Sequence, residues 1–338
     1  MAMTASPCYC RGTLILTETG ELPIEELTIG QRVVTLSGEA RPIKWIWHRS
    51  YDGRLIAGEN SLLPVRFADG ALADSIPTGD LLISPEHHLY VDECFTQVRY
   101  LINGATITSL ESINDLEYYY IELDTHDVIL AQGTPSETFV GNRAKFTNAS
   151  EYYSFYPNDS RQIFPRYTSY LHPNAPKMTF IRAALMRRAQ VLGYRLDSDP
   201  DLHVIAASGI IRPTAIIGRV YRFLIPDGKG VLWLASRSTV PADITPADRD
   251  VRRLGIPVER IVLRDALLSL EKQHGDPALR DGFHKDEASC RWTEGRGRLP
   301  MEWLQTFVGA FTLEVHLAPS DLLYLAAPKA APPAGGSG

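Results

Sequence analysis

Apolar and polar residues alternate over short runs between residues 8 and 145. β-Branched and aromatic residues dominate runs such as 13–17 and 42–47, and Gly, Pro, Ser and Asp separate these runs. This pattern is typical of short strands joined by turns in an all-β unit. Further strands are predicted at residues 32–36, 62–67, 80–83, 89–91, 99–102, 118–123 and 128–131. We therefore predict a compact β-domain over residues 8–148, behind a short flank formed by residues 1–7.

The pattern changes after residue 148. Residues 149–176 are rich in Tyr, Asn, Ser and Pro, which favours a linker or an ordered arm. Residues 178–192 carry the best helical pattern of the chain, with Arg187 and Arg188 in the C-terminal half and Gly193 as the stop signal.

Strand patterns return after this helix. They occur at residues 203–207, 218–225, 230–237, 258–263 and 311–317, whereas residues 265–273 favour a helix and residues 282–300 are rich in loop formers. This mixture predicts a β-rich, sandwich-like accessory domain over residues 177–326 with a few helices, so the chain as a whole is expected to be mainly β. Residues 327–338 are mostly Pro, Gly and Ala, which predicts a disordered tail.

Composition narrows the classes of function. The chain has 338 residues, enough for two domains, and a net charge of −6, which disfavours nucleic acid as a partner. No apolar run approaches the roughly 20 residues that span a bilayer, and the first residues have neither the basic nor the apolar segment of a signal peptide. We expect synthesis in the cytoplasm and leave the final location, including export by a non-classical route, open. Four cysteines do not make a disulfide scaffold in this length, so we expect reduced thiols.

A cysteine stands at the start of the first strand pattern. Cys8 is followed by Tyr9, then by two further residues, and then by Gly12-Thr13 and an apolar residue. A thiol in this position suits attack on the peptide bond before it, Pro7–Cys8. The block resembles the opening of Hint domains, the self-processing module of hedgehog proteins and inteins, and is most similar to the bacterial members that do not splice. The resemblance implies a compact β-fold with pseudo-twofold symmetry and Cys8 as the nucleophile.

Later blocks extend the resemblance. Residues 84–87 read Ser-Pro-Glu-His and fit the Thr-x-x-His block of Hint domains, with Ser in place of Thr. The resemblance implies that His87 protonates the departing amine and that Ser84 orients or polarises the scissile bond. Further on, His126 or Asp127 stands where a second acid or base is expected, and we favour His126.

The ending that inteins need for splicing is missing. Inteins finish with His-Asn followed by Cys, Ser or Thr, whereas residues 134–138 read Thr-Pro-Ser-Glu-Thr. No Asn is placed to cyclise. We therefore predict cleavage of the Pro7–Cys8 bond through an N–S acyl shift, with the thioester opened by water or another small nucleophile. The substrate is the chain's own N-terminal flank, in cis.

The same residues also have structural interpretations. A buried inert thiol and a packed core histidine are the ordinary readings of Cys8 and His87 outside these blocks, and Cys10 is expected to serve packing. A zinc site from these residues and His88 lacks the usual Cys-x-x-Cys or His-x-x-x-His spacing, so we predict no metal and no cofactor.

A set of residues in the second half combines aromatic, cationic and acidic groups. One interpretation is a polar groove for a glycan or similar ligand, and the other is a set of salt bridges and caps between strands. The alternative function is therefore an inactive Hint scaffold whose C-terminal domain binds such a ligand, and a hydrolase with an external substrate is a weaker third. The candidate groove residues are Arg237, Arg253, His284, Glu287 and Trp292.

Overall fold

The computed structural model describes residues 7–54, 56, 61–159, 163, 169–226, 230–245 and 248–328. The chain forms two compact units that divide after Leu192. Both consist mainly of β-strands, as the short apolar runs predict. Among the helices in these ranges, none has both the length and the apolar character required to cross a bilayer. Most of the predicted flank, residues 1–6, and of the predicted tail, residues 329–338, lies outside the described residues.

The first unit is built from short strands, followed by helices. In chain order the strands are β1 (Tyr9–Cys10), β2 (Leu14–Thr17), β3 (Gly20–Pro23), β4 (Arg32–Val34), β5 (Ala40–Pro42), β6 (Trp45–Asp52), β7 (Val65–Phe67), β8 (Leu81–Ile83), β9 (His88–Val91), β10 (Cys94–Gln97), β11 (Ile107–Ser109), β12 (Asp115–Glu122), β13 (Val128–Ala131) and β14 (Thr134–Glu137). The α-helices are α1 (Ala149–Phe155) and α2 (Pro176–Val191), and 3-10 helices occur at Ile24–Glu26, Val98–Leu101 and Arg143–Lys145.

These strands form a six-stranded sheet of order β11-β7-β8-β1-β12-β6 and an eight-stranded sheet of order β10-β9-β14-β13-β2-β4-β5, with β3 paired to β2. Strand β1 has two residues, yet it lies between β8 and β12, where Tyr9 is opposite Ile83 and Tyr119. The residue before it, Cys8, therefore lies in the interior of the unit.

The predicted strand at residues 99–102 is wrong, because Val98–Leu101 form a 3-10 helix. Val98 and Leu101 are both fully buried. Their spacing of three residues puts both side chains on one side of a 3-10 turn, whereas alternation along a strand would put them on opposite faces. The backbone of this helix is bonded to the preceding turn, since the Val98 amide donates to the His87 carbonyl at 2.8 Å.

Helix α1 lies within the predicted linker and packs through an aromatic side chain. Tyr152 is fully buried, and its ring lies 5.3 Å from that of Trp45 and 4.9 Å from that of Trp47. Aromatic pairs at these distances add to the stability gained by burial. This part of the predicted linker is therefore packed on the first unit.

A buried ion cluster lies beneath α1. Glu122 of β12 accepts hydrogen bonds from Trp47 Nε1 and Arg143 Nη2, both at 2.8 Å, and Lys44 Nζ lies 3.1 Å from its carboxylate. Lys44 also pairs with Asp159 at 2.7 Å. A buried carboxylate is tolerated when such partners replace its water shell. The cluster links β12 to the segment that carries α1.

The helix predicted at residues 178–192 is confirmed as α2, which begins at Pro176, a favourable residue for a first helical turn. Ile181 and Leu185 pack in the core of the first unit, and Arg188 Nε donates to the Gly70 carbonyl at 2.8 Å. The helix belongs to the first unit by these contacts, whereas the sequence predicts a second domain that starts at residue 177.

The second unit is also rich in short strands. They are β15 (Arg195–Asp197), β16 (His203–Ala206), β17 (Gly209–Ile211), β18 (Ala215–Ile217), β19 (Val220–Ile225), β20 (Trp233–Ala235), β21 (Pro257–Arg264), β22 (Ser269–Gln273), β23 (Arg291–Trp292), β24 (Arg296–Arg298), β25 (Phe311–Leu317) and β26 (Tyr324–Ala326). The helices are α3 (Pro241–Ile244) and α4 (Met301–Leu304).

A four-stranded sheet of order β17-β16-β20-β24 and a six-stranded sheet of order β18-β19-β25-β21-β22, with β23 paired to β21, form the body of this unit. Val204 and Leu234 of the smaller sheet share one core with Phe223, Leu263 and Leu313 of the larger one. Two sheets around a common apolar core form the sandwich-like arrangement that the sequence predicts.

The helix predicted at residues 265–273 is wrong, because β22 pairs with β21 and places Leu270 opposite Leu263. Asp265 begins the connecting turn, where its Oδ1 accepts hydrogen bonds from the amides of Leu267 and Leu268 at 2.8 Å each. Strand pairing here overrides the helical preference of the local residues.

Candidate active site

Cys8 makes hydrogen bonds to one residue, Ser84, in the turn between β8 and β9. Its amide N–H donates to Ser84 Oγ at 3.1 Å, and its carbonyl oxygen accepts from the Ser84 amide at 2.9 Å. The amide nitrogen of Cys8 belongs to the Pro7–Cys8 peptide bond. The nitrogen of the predicted scissile bond is therefore in direct contact with a hydroxyl group.

The thiol of Cys8 is enclosed in the core, with 1% of the residue exposed. Burial raises the pKa of this thiol well above its usual range, the neighbouring Cys10 raises it further, and Arg49 acts in the opposite direction. Burial likewise raises the pKa of Cys10. Because the thiolate is the nucleophilic form of cysteine, Cys8 needs a partner that takes its proton.

The turn at residues 84–87 brings Ser84 and His87 to the same place. The His87 amide donates to the Ser84 carbonyl at 3.1 Å. The imidazole is fully buried, with its ring centroid 4.5 Å from that of Tyr9 and 5.2 Å from that of Tyr120. Because Tyr9 follows Cys8 in the chain and begins β1, this packing puts the imidazole beside the strand that directly follows Cys8.

The interior position of His87 determines its protonation. Burial lowers its pKa to about 3, although the negative charge of Glu137 opposes this effect. The imidazole is therefore neutral at neutral pH. An imidazole of low pKa is a weak base, but once it holds a proton it is a strong acid toward a departing amine.

His126 is also fully buried and lies beside a carboxylate that the sequence did not single out. Its Nε2 lies 3.2 Å from Oε1 of Glu137. His88 Nδ1 lies 3.0 Å from Oε2 of the same carboxylate. Strand β14 runs between β9 and β13, and this order brings together Glu137, which ends β14, His88, which begins β9, and His126, which precedes β13.

Asp127 points its carboxylate to other partners. Arg41 Nη1 donates to Asp127 Oδ2 at 2.7 Å, and the Val128 amide donates to Oδ1 at 2.8 Å. The Asp127 amide donates to Thr138 Oγ1 at 2.8 Å. These contacts give Asp127 a structural part in the turn before β13.

Within the described residues, no group of three or more His, Cys, Asp or Glu side chains is arranged to hold a metal ion.

Three of the candidate groove residues of the second unit, Arg237, Glu287 and His284, make local side-chain contacts. Arg237 Nη1 pairs with Asp197 at 3.1 Å, and Glu287 pairs with Arg252 at 2.8 Å. His284 Nε2 donates to the carbonyl of Arg253 at 2.8 Å.

Trp292 has a different environment from the other candidates. It lines a cavity of about 360 Å³ together with Asp250 and Arg252. Arg237 is not among the residues that line this cavity.

The sequence from residue 7 to residue 143 matches the family of Hint domains. This part of the chain is a Hint domain. The matched segment contains Cys8, Ser84, His87 and His126 and ends before α1. Membership of this segment in the Hint family indicates a capacity for self-processing.

Several solved structures are similar to the Hint domain. The crystal structure of the gp41-1 intein shares 12% identity at a TM-score of 0.29, covering 39% of this chain and 98% of the intein. The solution structure of a bacterial intein-like domain from Clostridium thermocellum shares 15% identity at a TM-score of 0.28, covering 40% of this chain and 100% of that domain. The crystal structure of the MchDnaB-1 intein shares 9% identity at a TM-score of 0.28, covering 40% of this chain and 100% of the intein. No curated protein matches the chain.

Glu137 is the residue of this region that sequence reasoning missed. It lies in the Thr134–Glu137 run, which lacks the ending that inteins need for splicing. Its burial depends on the pairing of β14 with β9 and β13, two contacts that join distant parts of the chain. A single acidic residue in a short polar run gives no local signal of such an environment.

Proposed function

We propose that this Hint domain cleaves the peptide bond between Pro7 and Cys8 through an N–S acyl shift, without splicing. The observation that carries the proposal is the hydrogen bond of 3.1 Å from the Cys8 amide to Ser84 Oγ, in the same turn as the buried His87. A nucleophile, a polarising hydroxyl and an imidazole acid are the groups that this reaction requires around one peptide bond.

The first step moves an acyl group from nitrogen to sulfur. Sγ of Cys8 attacks the carbonyl carbon of Pro7, the bond from that carbon to the Cys8 nitrogen breaks, and a thioester forms. The thiol proton passes to His87 and from there to the departing nitrogen, so the step gains and loses no proton. The low pKa of His87 makes its protonated form a strong donor in the second half of this transfer.

The second step opens the thioester. Water adds to the carbonyl carbon of Pro7, and the bond from that carbon to sulfur breaks. One water proton returns to the sulfur and the other leaves the new carboxyl group. His126 is the proposed acid or base of this step, and another small nucleophile can take the place of water.

Splicing is excluded from the proposal because of the residues that follow His126. Thr134–Glu137 form strand β14, which pairs with β13, and no asparagine stands between His126 and Thr138. Inteins need an asparagine there to release their C-terminal partner. The proposed product is therefore a chain that begins with Cys8 and keeps both units.

The test is the intact mass of freshly purified chain, wild type and Cys8→Ala, with and without dithiothreitol. A wild-type chain that begins at Cys8 beside an uncut variant supports the proposal, and dithiothreitol speeds the release because thiol exchange opens a thioester. Cys10→Ala is the matched control and is cut like the wild type, since Cys10 is a buried free thiol outside the proposed chemistry. A wild-type chain that stays whole in both conditions overturns the proposal.

A further inference from the structure

Glu137 is a buried carboxylate that three segments of the first unit approach. The residue is 2% exposed. Its Oε1 lies 3.2 Å from His126 Nε2 and accepts a short hydrogen bond from the hydroxyl of Tyr170, and its Oε2 lies 3.0 Å from His88 Nδ1. We call Glu137, His126, His88 and Tyr170 the carboxylate cluster.

Tyr170 reaches the cluster because its segment adds to the edge of β10. The Phe95 amide donates to the Ser169 carbonyl at 2.9 Å, and the Leu171 amide donates to the Phe95 carbonyl at 2.8 Å. The Phe95 ring stacks on Tyr170 at 5.2 Å and packs against His126 at the same centroid distance. The segment therefore lies over the pair formed by His126 and Glu137.

The charge of the cluster follows from its burial and its partners. Burial alone raises the pKa of Glu137, but the hydrogen bonds from His126 and His88 outweigh it and lower this pKa to about 2. The carboxylate is therefore ionised at neutral pH, and a buried charge of this kind needs a counter-charge. Burial raises the pKa of Tyr170 and keeps its hydroxyl neutral. Both imidazoles have a ring nitrogen within 3.2 Å of this carboxylate, so either ring is placed to carry the counter-charge.

The cluster adjoins the proposed cleavage site through Tyr9. The hydroxyl of Tyr9 donates to the main-chain carbonyl of Glu137 at 3.2 Å, and the ring of Tyr9 packs against His87. The negative charge of Glu137 also favours the protonated form of His87. The titratable groups that face Glu137 from the elements packed around it are His126, His88, Tyr170, His87, Tyr9 and Tyr120.

We propose that Glu137 is a positioning residue of the cleavage site: its carboxylate holds a protonated imidazole in the cluster and favours proton uptake by the adjacent His87. This inference rests on the proposed cleavage at Pro7–Cys8. During the acyl shift His87 has to carry a proton for a short time, and the negative charge of Glu137 stabilises that state. The protonated member of the pair, when it is His126, serves as the acid of the thioester step.

The first experiment measures the charge directly and does not depend on cleavage. Side-chain ¹⁵N NMR of the histidines distinguishes a neutral imidazole from an imidazolium, and the Cys8→Ala chain keeps the flank attached. At neutral pH we expect one imidazolium in the pair of His126 and His88, and two neutral rings after Glu137→Gln. Two neutral rings before the substitution, or an unchanged imidazolium after it, overturn the inference.

A matched variant controls for the loss of a carboxylate in general. In the same unit, Glu117 also accepts a hydrogen bond from a tyrosine, since the Tyr119 hydroxyl donates to it at 2.9 Å. Glu117→Gln is expected to leave the imidazolium in place. If Glu137→Gln does not fold, the same NMR measurement on His88→Gln tests the inference through the charge of His126. With one imidazole left beside the carboxylate, the inference expects the imidazolium on His126 at neutral pH, and a neutral His126 contradicts the inference.

The second experiment follows cleavage by intact mass against pH in chains that retain Cys8. Glu137→Gln is expected to slow cleavage at least about tenfold at neutral pH and to move the rate maximum to lower pH, because His87 is then harder to protonate. Glu137→Asp, which restores the charge, should recover part of the rate. An uncut wild-type chain overturns the proposed function itself. A wild type that is cut, with the same rate and pH profile in Glu137→Gln, overturns only the role of Glu137.

Discussion

Ser84 makes one hydrogen bond to Cys8 through its side chain and another through its backbone. The side-chain bond reaches the nitrogen of the proposed scissile bond, whereas the backbone bond joins the strand to the turn. The two contributions can therefore be separated by mutation. This makes Ser84 the most direct test of the geometry around the peptide bond.

Ser84→Ala is expected to slow cleavage by about ten- to a thousandfold, because the polarising hydroxyl is lost. It should also lower the free energy of unfolding by about 1–3 kcal/mol, because the buried amide of Cys8 loses its partner. Ser84→Thr restores a hydroxyl and should recover cleavage. An intact-mass time course and urea unfolding measure the two effects. Equal cleavage rates in wild type and Ser84→Ala would show that the hydroxyl plays no part.

The residues that the sequence could predict are those whose signal is local. Cys8 precedes a strand pattern, and Ser84 and His87 have a fixed spacing, so each could be recognised from a few neighbours. The structure brings Cys8 and Ser84 into direct contact. Glu137 could not be recognised in this way, because its histidine partners come from β9 and from the turn before β13.

The link between β12 and α1 depends on the buried carboxylate of Glu122. Arg143, Lys44 and Trp47 all approach this group, so its loss leaves two cations close together in the interior. Removing one partner from such a cluster is more harmful than removing an exposed charge. The hydrophobic contacts of Tyr152 then have to hold α1 without this support.

Glu122→Gln is expected to lower the free energy of unfolding by about 3–5 kcal/mol, measured by urea denaturation. Glu117→Gln is the control on the same strand. The side chain of Glu117 is 36% exposed in its pair with Arg11, and loss of such a surface pair costs about 0–1 kcal/mol. Similar losses in the two variants would contradict a special contribution of the buried cluster.

Element type was predictable where local pattern and long-range pairing agree. Strands β13 and β25 coincide with their predicted runs, since both runs are rich in apolar residues and most of their residues are buried. Residues 265–273 show the opposite case, because helix-forming residues pair with β21 as a hairpin. A pairing partner supplied by a neighbouring strand is not visible in a short window of sequence.

The division of the chain into two units depends on α2. Ile181 and Leu185 of this helix are 5% and 4% exposed in the first core, and Arg188 pairs with Asp74 at 2.6 Å. The change of composition near residue 176 is a sequence signal for a boundary, but it does not reveal the side on which the helix packs. The side on which α2 packs is determined by the contacts of individual side chains, which a change of composition does not report.

A chain that ends at Leu192 is expected to unfold in one cooperative transition. A chain that ends at Ala175 should be less stable by several kcal/mol, since each large apolar side chain removed from a core costs about 2–5 kcal/mol. Thermal unfolding followed by circular dichroism measures the difference. Equal midpoints for the two chains would show that α2 contributes nothing to the first unit.

The burial of Cys8 has a consequence for the reversibility of the proposed reaction. When the peptide bond breaks, the new amino group remains in the interior, where water cannot solvate an ammonium ion. The amine therefore stays unprotonated beside the thioester and can attack it again. The acyl shift alone is a reversible equilibrium between the peptide and the thioester. Hydrolysis of the thioester is the irreversible step that drives the reaction to cleavage.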